Sequence, residues 1–134
     1  PWPMTEAPRA PAETLEGGCH CLRVRFRVRI EGPRKALLCN CSICDKKAFV
    51  HLIVEGNAFE LLAGAEHLAH YRFNTGTADH LFCRVCGMHP FYRPRSHPEG
   101  WDVNVRCLDD APLDTFRIET FDGRNWEANV GSIR

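Results

Sequence analysis

Seven of the eight cysteines in this 134-residue chain fall into three tight clusters. Cys39-Asn40-Cys41-Ser42-Ile43-Cys44 carries three thiols, while Cys19-His20-Cys21 and Cys83-Arg84-Val85-Cys86 carry two each. Close-set thiols in a chain with reduced cysteines are metal ligands. Zinc suits them, being borderline-soft and content with four tetrahedral sulfurs. Seven thiols cannot fill two four-coordinate sites. One site is therefore closed, and the other has three protein ligands and an open position of the kind catalytic zinc keeps. Spacing alone leaves open which clusters combine. If Cys39, Cys41 and Cys44 form the three-ligand site, Cys19, Cys21, Cys83 and Cys86 form the closed one. Cys107, or one of His20, His51, His80, His89 and His97, could instead complete the second set. Cys107 alternates in phase with Val103 and Val105 and reads as a buried, unreactive core thiol.

Charge around these clusters bears on the ligand. Lys46 and Lys47 follow the central cluster directly, and Arg93 and Arg95 follow the third. All four are candidates to hold a carboxylate, which an arginine fork fits well. Arg23, Arg25, Arg27 and Arg29 form a cationic row, read as a solvated face that also discourages edge pairing. Lys+Arg and Asp+Glu both number 17, and a formal net charge of zero argues against dedicated nucleic-acid binding.

The elements that position the clusters are strands. Leu22, Val24, Phe26, Val28 and Ile30 alternate with the arginines, the period of a half-buried strand. Further strands are expected over 48–54, 59–62, 68–73, from Phe91, over Trp101 to Cys107, and over Arg117 to Phe121. Glycine, asparagine and proline turns separate them. Asp109 to Phe116 fits a short helical turn, and Asp122 is placed to cap a short helix around Trp126. A glycine after Cys-x-x-Cys, here Gly87, supports a zinc knuckle. No long helical period occurs. The expectation is one all-β domain over residues 17–134, preceded by a flexible tail over 1–16 in which 1–3 are an added remnant before Met4. No secretory signal and no apolar run of about 18 residues is present, so a cytoplasmic protein is expected.

Gly17-Gly18-Cys19-His20-Cys21 with its alternating Val-Arg-Phe strand resembles the glutathione-dependent formaldehyde-activating enzyme family. Cys39-Asn-Cys-Ser-Ile-Cys, His80-Leu-Phe-Cys-Arg-Val-Cys-Gly and Tyr92-Arg-Pro-Arg-Ser resemble it too. Phe73-Asn74-Thr75 is similar to centromere protein V of the same superfamily. The resemblance implies a β-tent, small antiparallel sheets pinned by two zinc ions per chain. Cys19, Cys21, Cys83 and Cys86 would hold structural zinc; Cys39, Cys41 and Cys44 would hold the catalytic and more labile one. It further implies a carbon–sulfur lyase that joins glutathione to formaldehyde as S-hydroxymethylglutathione, or cleaves such an adduct. On this reading a thiolate attacks a small carbonyl, and His51 or His89 moves the proton. The alternatives are a non-catalytic thiol carrier and a structural or interaction module that uses the arginine face.

Overall fold

The computed structural model describes residues 12–134. Its strands are β1 (Glu13–Gly18), β2 (Arg25–Ile30), β3 (Lys35–Cys39), β4 (Val50–Val54), β5 (Phe59–Ala63), β6 (Leu68–Tyr71), β7 (His80–Cys83), β8 (Phe91–Tyr92), β9 (Trp101–Asn104) and β10 (Arg117–Phe121). Two short helices accompany them, α1 (Ser42–Lys47) and α2 (Trp126–Asn129). The strands form three sheets, ordered β1-β2-β5, β10-β3-β4-β9-β8 and β6-β7. The architecture is all-β, as the alternating patterns require, and the cysteine clusters suggest metal pins between its small sheets.

Several features differ from expectation, each for a physical reason. The strand expected from Leu22 begins only at Arg25, because the chain turns through Leu22 in the left-handed region and leaves its side chain exposed. Residues 13–16 belong to β1 rather than to a tail. Leu15 lies opposite Val28, and the carboxylates of Glu16 and Glu13 hold the guanidiniums of Arg27 (3.1 Å) and Arg34 (2.5 Å). The rest of the expected tail, 1–11, lies outside the described residues. The sheets are also not wholly antiparallel, because β10 pairs with β3 in parallel. Finally, β2 is the central strand of its sheet, so its arginines guard no edge. Arg25, Arg27 and Arg29 instead pair with Asp109, Glu16 and Glu60, and Glu31. These are partly or well exposed pairs of the kind that contribute little to stability.

The core lies between the first two sheets. Phe26, Val28, Val50, Leu52, Val103 and Phe91 are buried there. Phe91 meets Phe26 and Phe59 edge-on, with ring centroids 5.7 and 4.8 Å apart, and Trp101 stacks on Phe59 at 4.7 Å. Burying one such phenyl ring stabilises by roughly 1.5–3 kcal/mol, so truncating Phe26 is among the costliest single changes.

Strand register decides what the other face of the five-stranded sheet carries. Phe121 lies opposite Cys39, Leu37 opposite His51, Ile53 opposite Asp102, and Tyr92 also opposite Asp102. Opposed residues share a face, and so do residues two apart on one strand. Apolar Ala36, Val50, Leu52, Val103 and Phe91 thereby go to the core. Cys39, His51, Asp102 and Tyr92 go together to the opposite side. A one-residue slip in β3 or β4 would scatter them.

Candidate metal centre

The first four thiols come from two turns. Gly17 and Gly18 end β1 where backbones approach closely: a Cβ on Gly17 would meet the Cys107 carbonyl and one on Gly18 the Val24 carbonyl. The chain then turns at Leu22, in the left-handed region at φ 69°, and places Cys19 and Cys21 side by side. Opposite them, β7 delivers Cys83 into a knuckle. Gly87 (φ 77°) donates its N–H to the Cys83 carbonyl at 2.8 Å, returning the chain so that Cys86 faces the same point. The four Sγ atoms lie within 4.8 Å of one another. Cys19 Sγ is 3.5 Å from Cys21 Sγ, which is 3.7 Å from Cys83 Sγ, and the Val24 N–H donates to Cys19 Sγ at 3.3 Å. Burial pushes the Cys19 thiol up to about 11, whereas the Arg23 backbone N–H and side chain bring Cys21 down to about 6.

The central three thiols gather at the end of one strand. Cys39 is the last residue of β3, Cys41 caps α1, and Cys44 is buried within that helix. The Cys44 N–H donates to Cys41 Sγ at 3.4 Å. Their Sγ atoms also lie within 4.8 Å of one another, and no His, Asp or Glu joins either group among the described residues. Hydrogen bonding from Cys39, and then from Cys44, brings the Cys41 thiol down to about 2; its neighbours rise in turn, Cys39 and above all Cys44. Thiol-only donors at this separation fit a soft, tetrahedral divalent ion.

The loop after β10 clamps this cluster. Asn40, between two of the thiols, donates to Asp122 Oδ1 at 2.9 Å, and its Oδ1 accepts from the Arg124 N–H at 3.0 Å. Arg124 Nε donates to the Asn40 carbonyl at 2.8 Å. Asp122 thus serves Asn40 and Asn125 rather than capping a helix. Gly123 sits against the thiols, where a Cβ would press on Cys39 Sγ and come within 3.0 Å of Cys41 Cβ. Sequence reasoning missed this glycine and Arg124. The Asp122-Gly123 pair showed only as a turn.

The central thiols open on a cavity of about 410 Å³, within the range of small-molecule sites. Apolar Ile43, Ile53, Phe73, Phe121 and Trp126 share its wall with His51, Asp102, Tyr92, Arg95 and Arg124. Of the four expected substrate cations, Arg95 alone lines it, its guanidinium stacked 3.7 Å over the Trp126 ring. Arg93 stacks on Trp101 at 3.7 Å and donates to the Gly100 carbonyl at 2.9 Å, away from the cavity. Lys46 is exposed. Lys47 packs over the Phe49 and Tyr92 rings and lies 3.4 Å from His80 Nδ1; burial holds its pKa down. Of the two histidines considered for proton transfer, His51 lines the cavity and His89 does not.

Cys107 is not on a strand. The Asn104 side chain accepts from the Arg106 N–H at 3.1 Å and starts a 3₁₀ turn over Val105–Cys107 that ends β9. The thiol is half-buried, points to the His89 carbonyl at 3.8 Å, and is pushed up to about 12 by burial. It stays protonated, hence unreactive. No helix of the described residues is long and apolar enough to cross a membrane.

Comparisons with known proteins agree with this picture. A crystal structure of a Rhodobacter sphaeroides protein, a structural genomics target, superposes with a TM-score of 0.70 at 32% identity, covering 78% of this chain and 100% of that one. A curated Halomonas elongata protein, provisionally named a glutathione-dependent formaldehyde-activating enzyme, is 39% identical over 80 residues. That alignment takes in 54% of this chain and 51% of the relative, about half the length of each. The family model described as glutathione-dependent formaldehyde-activating enzyme matches residues 14–122, which hold both thiol clusters and the strands that carry them. The chain therefore belongs to the glutathione-dependent formaldehyde-activating enzyme family.

Proposed function

We propose that this chain is a zinc-dependent carbon–sulfur lyase that forms or cleaves the adduct of a thiol, glutathione by preference, with a small carbonyl such as formaldehyde. One observation carries the reading. Cys39, Cys41 and Cys44 converge without a fourth protein donor among the described residues, at the wall of a cavity that also holds two arginines. Cys19, Cys21, Cys83 and Cys86 would hold the structural zinc and Cys39, Cys41 and Cys44 the catalytic one. Bound zinc would supply a thiolate nucleophile at neutral pH, since ligation deprotonates a thiol.

The rest is done by the chain. Arg95 and Arg124 line the cavity; they face the exposed carboxylates of Glu127 at 3.3 Å and Asp45 at 3.4 Å, weak surface pairs that the two carboxylates of glutathione would replace. Ile43, Phe73, Phe121 and Trp126 give the cavity an apolar wall against which the carbon chain of a bound thiol would pack. In the forward direction the sulfur lone pair forms the S–C bond and the C=O π pair moves to oxygen, which takes a proton. Cleavage reverses each change. Eight cysteines without a disulfide fit a reducing compartment such as the cytoplasm.

The test is the rate of S-hydroxymethylglutathione formation from glutathione and formaldehyde with zinc-reconstituted protein. The expected result is turnover above the uncatalysed rate, lost in Cys41→Ser. Protein carrying two zinc ions that leaves the uncatalysed rate unchanged would refute the activity.

A further inference from the structure

His80 opens β7 on the wall of the cavity that the central thiols also line. Its ring stacks on two others, on Tyr92 at 4.8 Å and 15° and on Phe73 at 5.4 Å and 24°. Packing therefore fixes the plane of the imidazole. Its tautomer is fixed too, because Lys47 Nζ lies 3.4 Å from Nδ1. Against the cost of burial, the charges of Cys44 and Asp102 favour the Lys47 ammonium. An ammonium has protons to donate and no lone pair to accept with, so Nδ1 is the acceptor. The one proton of a neutral imidazole then sits on Nε2. Burial, and then the Lys47 charge, bring the ring down to about 4 and keep it neutral, while the Cys41 charge reaches it and pulls the other way. Nε2 makes no hydrogen bond among the described residues. Yet the fully buried atoms left without a partner are His51 Nε2, His89 Nδ1 and Asp102 Oδ1, and His80 Nε2 is not one of them. It therefore keeps accessible surface, and the open space that His80 borders is the cavity of the central thiols.

On the thiol–carbonyl reading above, we infer that His80 Nε2–H is the hydrogen-bond donor that receives the carbonyl oxygen, with Lys47 as the positioning residue that keeps the proton on Nε2. The sulfur lone pair forms the S–C bond and the C=O π pair moves to oxygen, where the Nε2–H meets the new negative charge. The proton lost by the thiol leaves to water, and the oxygen takes one from water. His80 stays neutral throughout, and no other reactant is consumed. A neutral imidazole suits this task, since it polarises a carbonyl without giving up its proton. A donor oriented in advance by two stacked rings needs no reorganisation as the charge develops.

Imidazole nitrogen resonances of zinc-loaded protein test this apart from turnover. Two-bond proton–nitrogen correlations should show His80 with its proton on Nε2 and with Nδ1 shifted upfield of a free imine nitrogen, as an acceptor is. Lys47→Met should return Nδ1 to the free position, whereas Lys47→Arg, which retains a donor, should not. Glutathione added with formaldehyde should move the Nε2 proton downfield, as a donor that gains an acceptor does. For the rate, His80→Phe keeps an aromatic ring in the stack and lacks the donor. At full zinc content its kcat should fall about 100-fold, the scale of one lost oxyanion donor. KM for glutathione should change little, a split that a merely structural role would not give. A wild-type proton on Nδ1, an unmoved Nε2 proton when the adduct binds, or full kcat in zinc-replete His80→Phe would overturn the assignment and leave the thiol–carbonyl reading standing. A zinc-loaded wild type without turnover would overturn both.

Discussion

Gly123→Ala is a one-methyl perturbation aimed at the central thiols. The added Cβ would lie 3.0 Å from Cys41 Cβ and closer still to Cys39 Sγ. Ordinary contact begins at 3.4 Å, so the more lenient of the two clashes already demands a 0.4 Å shift. A zinc–sulfur bond of about 2.3 Å tolerates roughly 0.2 Å. Rotation of the Cys39 side chain would relieve the clash but carries the sulfur away from its partners. Losing one of three protein ligands should weaken the central site by at least about 100-fold, the upper end of effects seen for residues that merely support ligands. Stability should fall less, by about 1–3 kcal/mol, as overpacking at a tight site does. The four-thiol site lies on other elements and should keep its ion. Metal content by inductively coupled plasma mass spectrometry should drop from two zinc ions per chain to one. A chelator competition should show the weaker site lost and the tighter one unchanged. Two zinc ions at wild-type affinity in Gly123→Ala would refute the claim that Cys39 is a ligand held in place by this contact.

Further outcomes follow from the same geometry. Cys41→Ser should lose one zinc and keep the fold, whereas Cys86→Ser should lower Tm sharply, since structural zinc contributes folding energy; equal losses of Tm in both would contradict the division of roles. Burial, and then the nearby Lys47 charge, brings His80 down from 6.5 to about 4, so the folded state resists protonating it. The unfolded chain binds more protons between those values. Stability should therefore be full above pH 6.5 and fall by up to about 3 kcal/mol as pH drops towards 4. His80→Phe, which keeps the stack on Tyr92 and Phe73, should flatten that slope in denaturant titrations. Arg95→Ala should raise KM for glutathione about tenfold with kcat little changed, the signature of lost ground-state and transition-state binding alike; an unchanged KM would remove Arg95 from the binding site.

The two thiol groups were legible because thiol chemistry is concentrated in residue type and spacing. Seven cysteines in three clusters leave few ways to share two ions, and the structure brings together the same two sets of four and three. The alternation over Val24, Phe26, Val28 and Ile30 likewise announces the buried face of β2, although Leu22, which shares the pattern, lies exposed in the turn before the strand. What escaped depends on contacts distant in sequence. His51 and Asp102 are 51 residues apart, and only the β4–β9 register makes them neighbours. Arg124 and Gly123 join the site through an Asn40 clamp spanning 84 residues. Residues 13–16 hold one apolar side chain among polar ones, too short a pattern to declare a strand without its β2 partner. The helix α1 has six residues and a cysteine cap, so neither period nor a common capping residue marks it. Arg93 and Arg95 look equivalent in sequence, yet neighbouring indoles, Trp101 and Trp126, draw them to different places.

The central claim is that three thiols hold an ion open to an incoming thiol, and native mass spectrometry of freshly purified protein with and without glutathione tests it most directly. The account predicts two zinc ions per chain and a glutathione adduct that disappears in Cys41→Ser. One zinc ion after resupply, or an adduct that persists in Cys41→Ser, would contradict it.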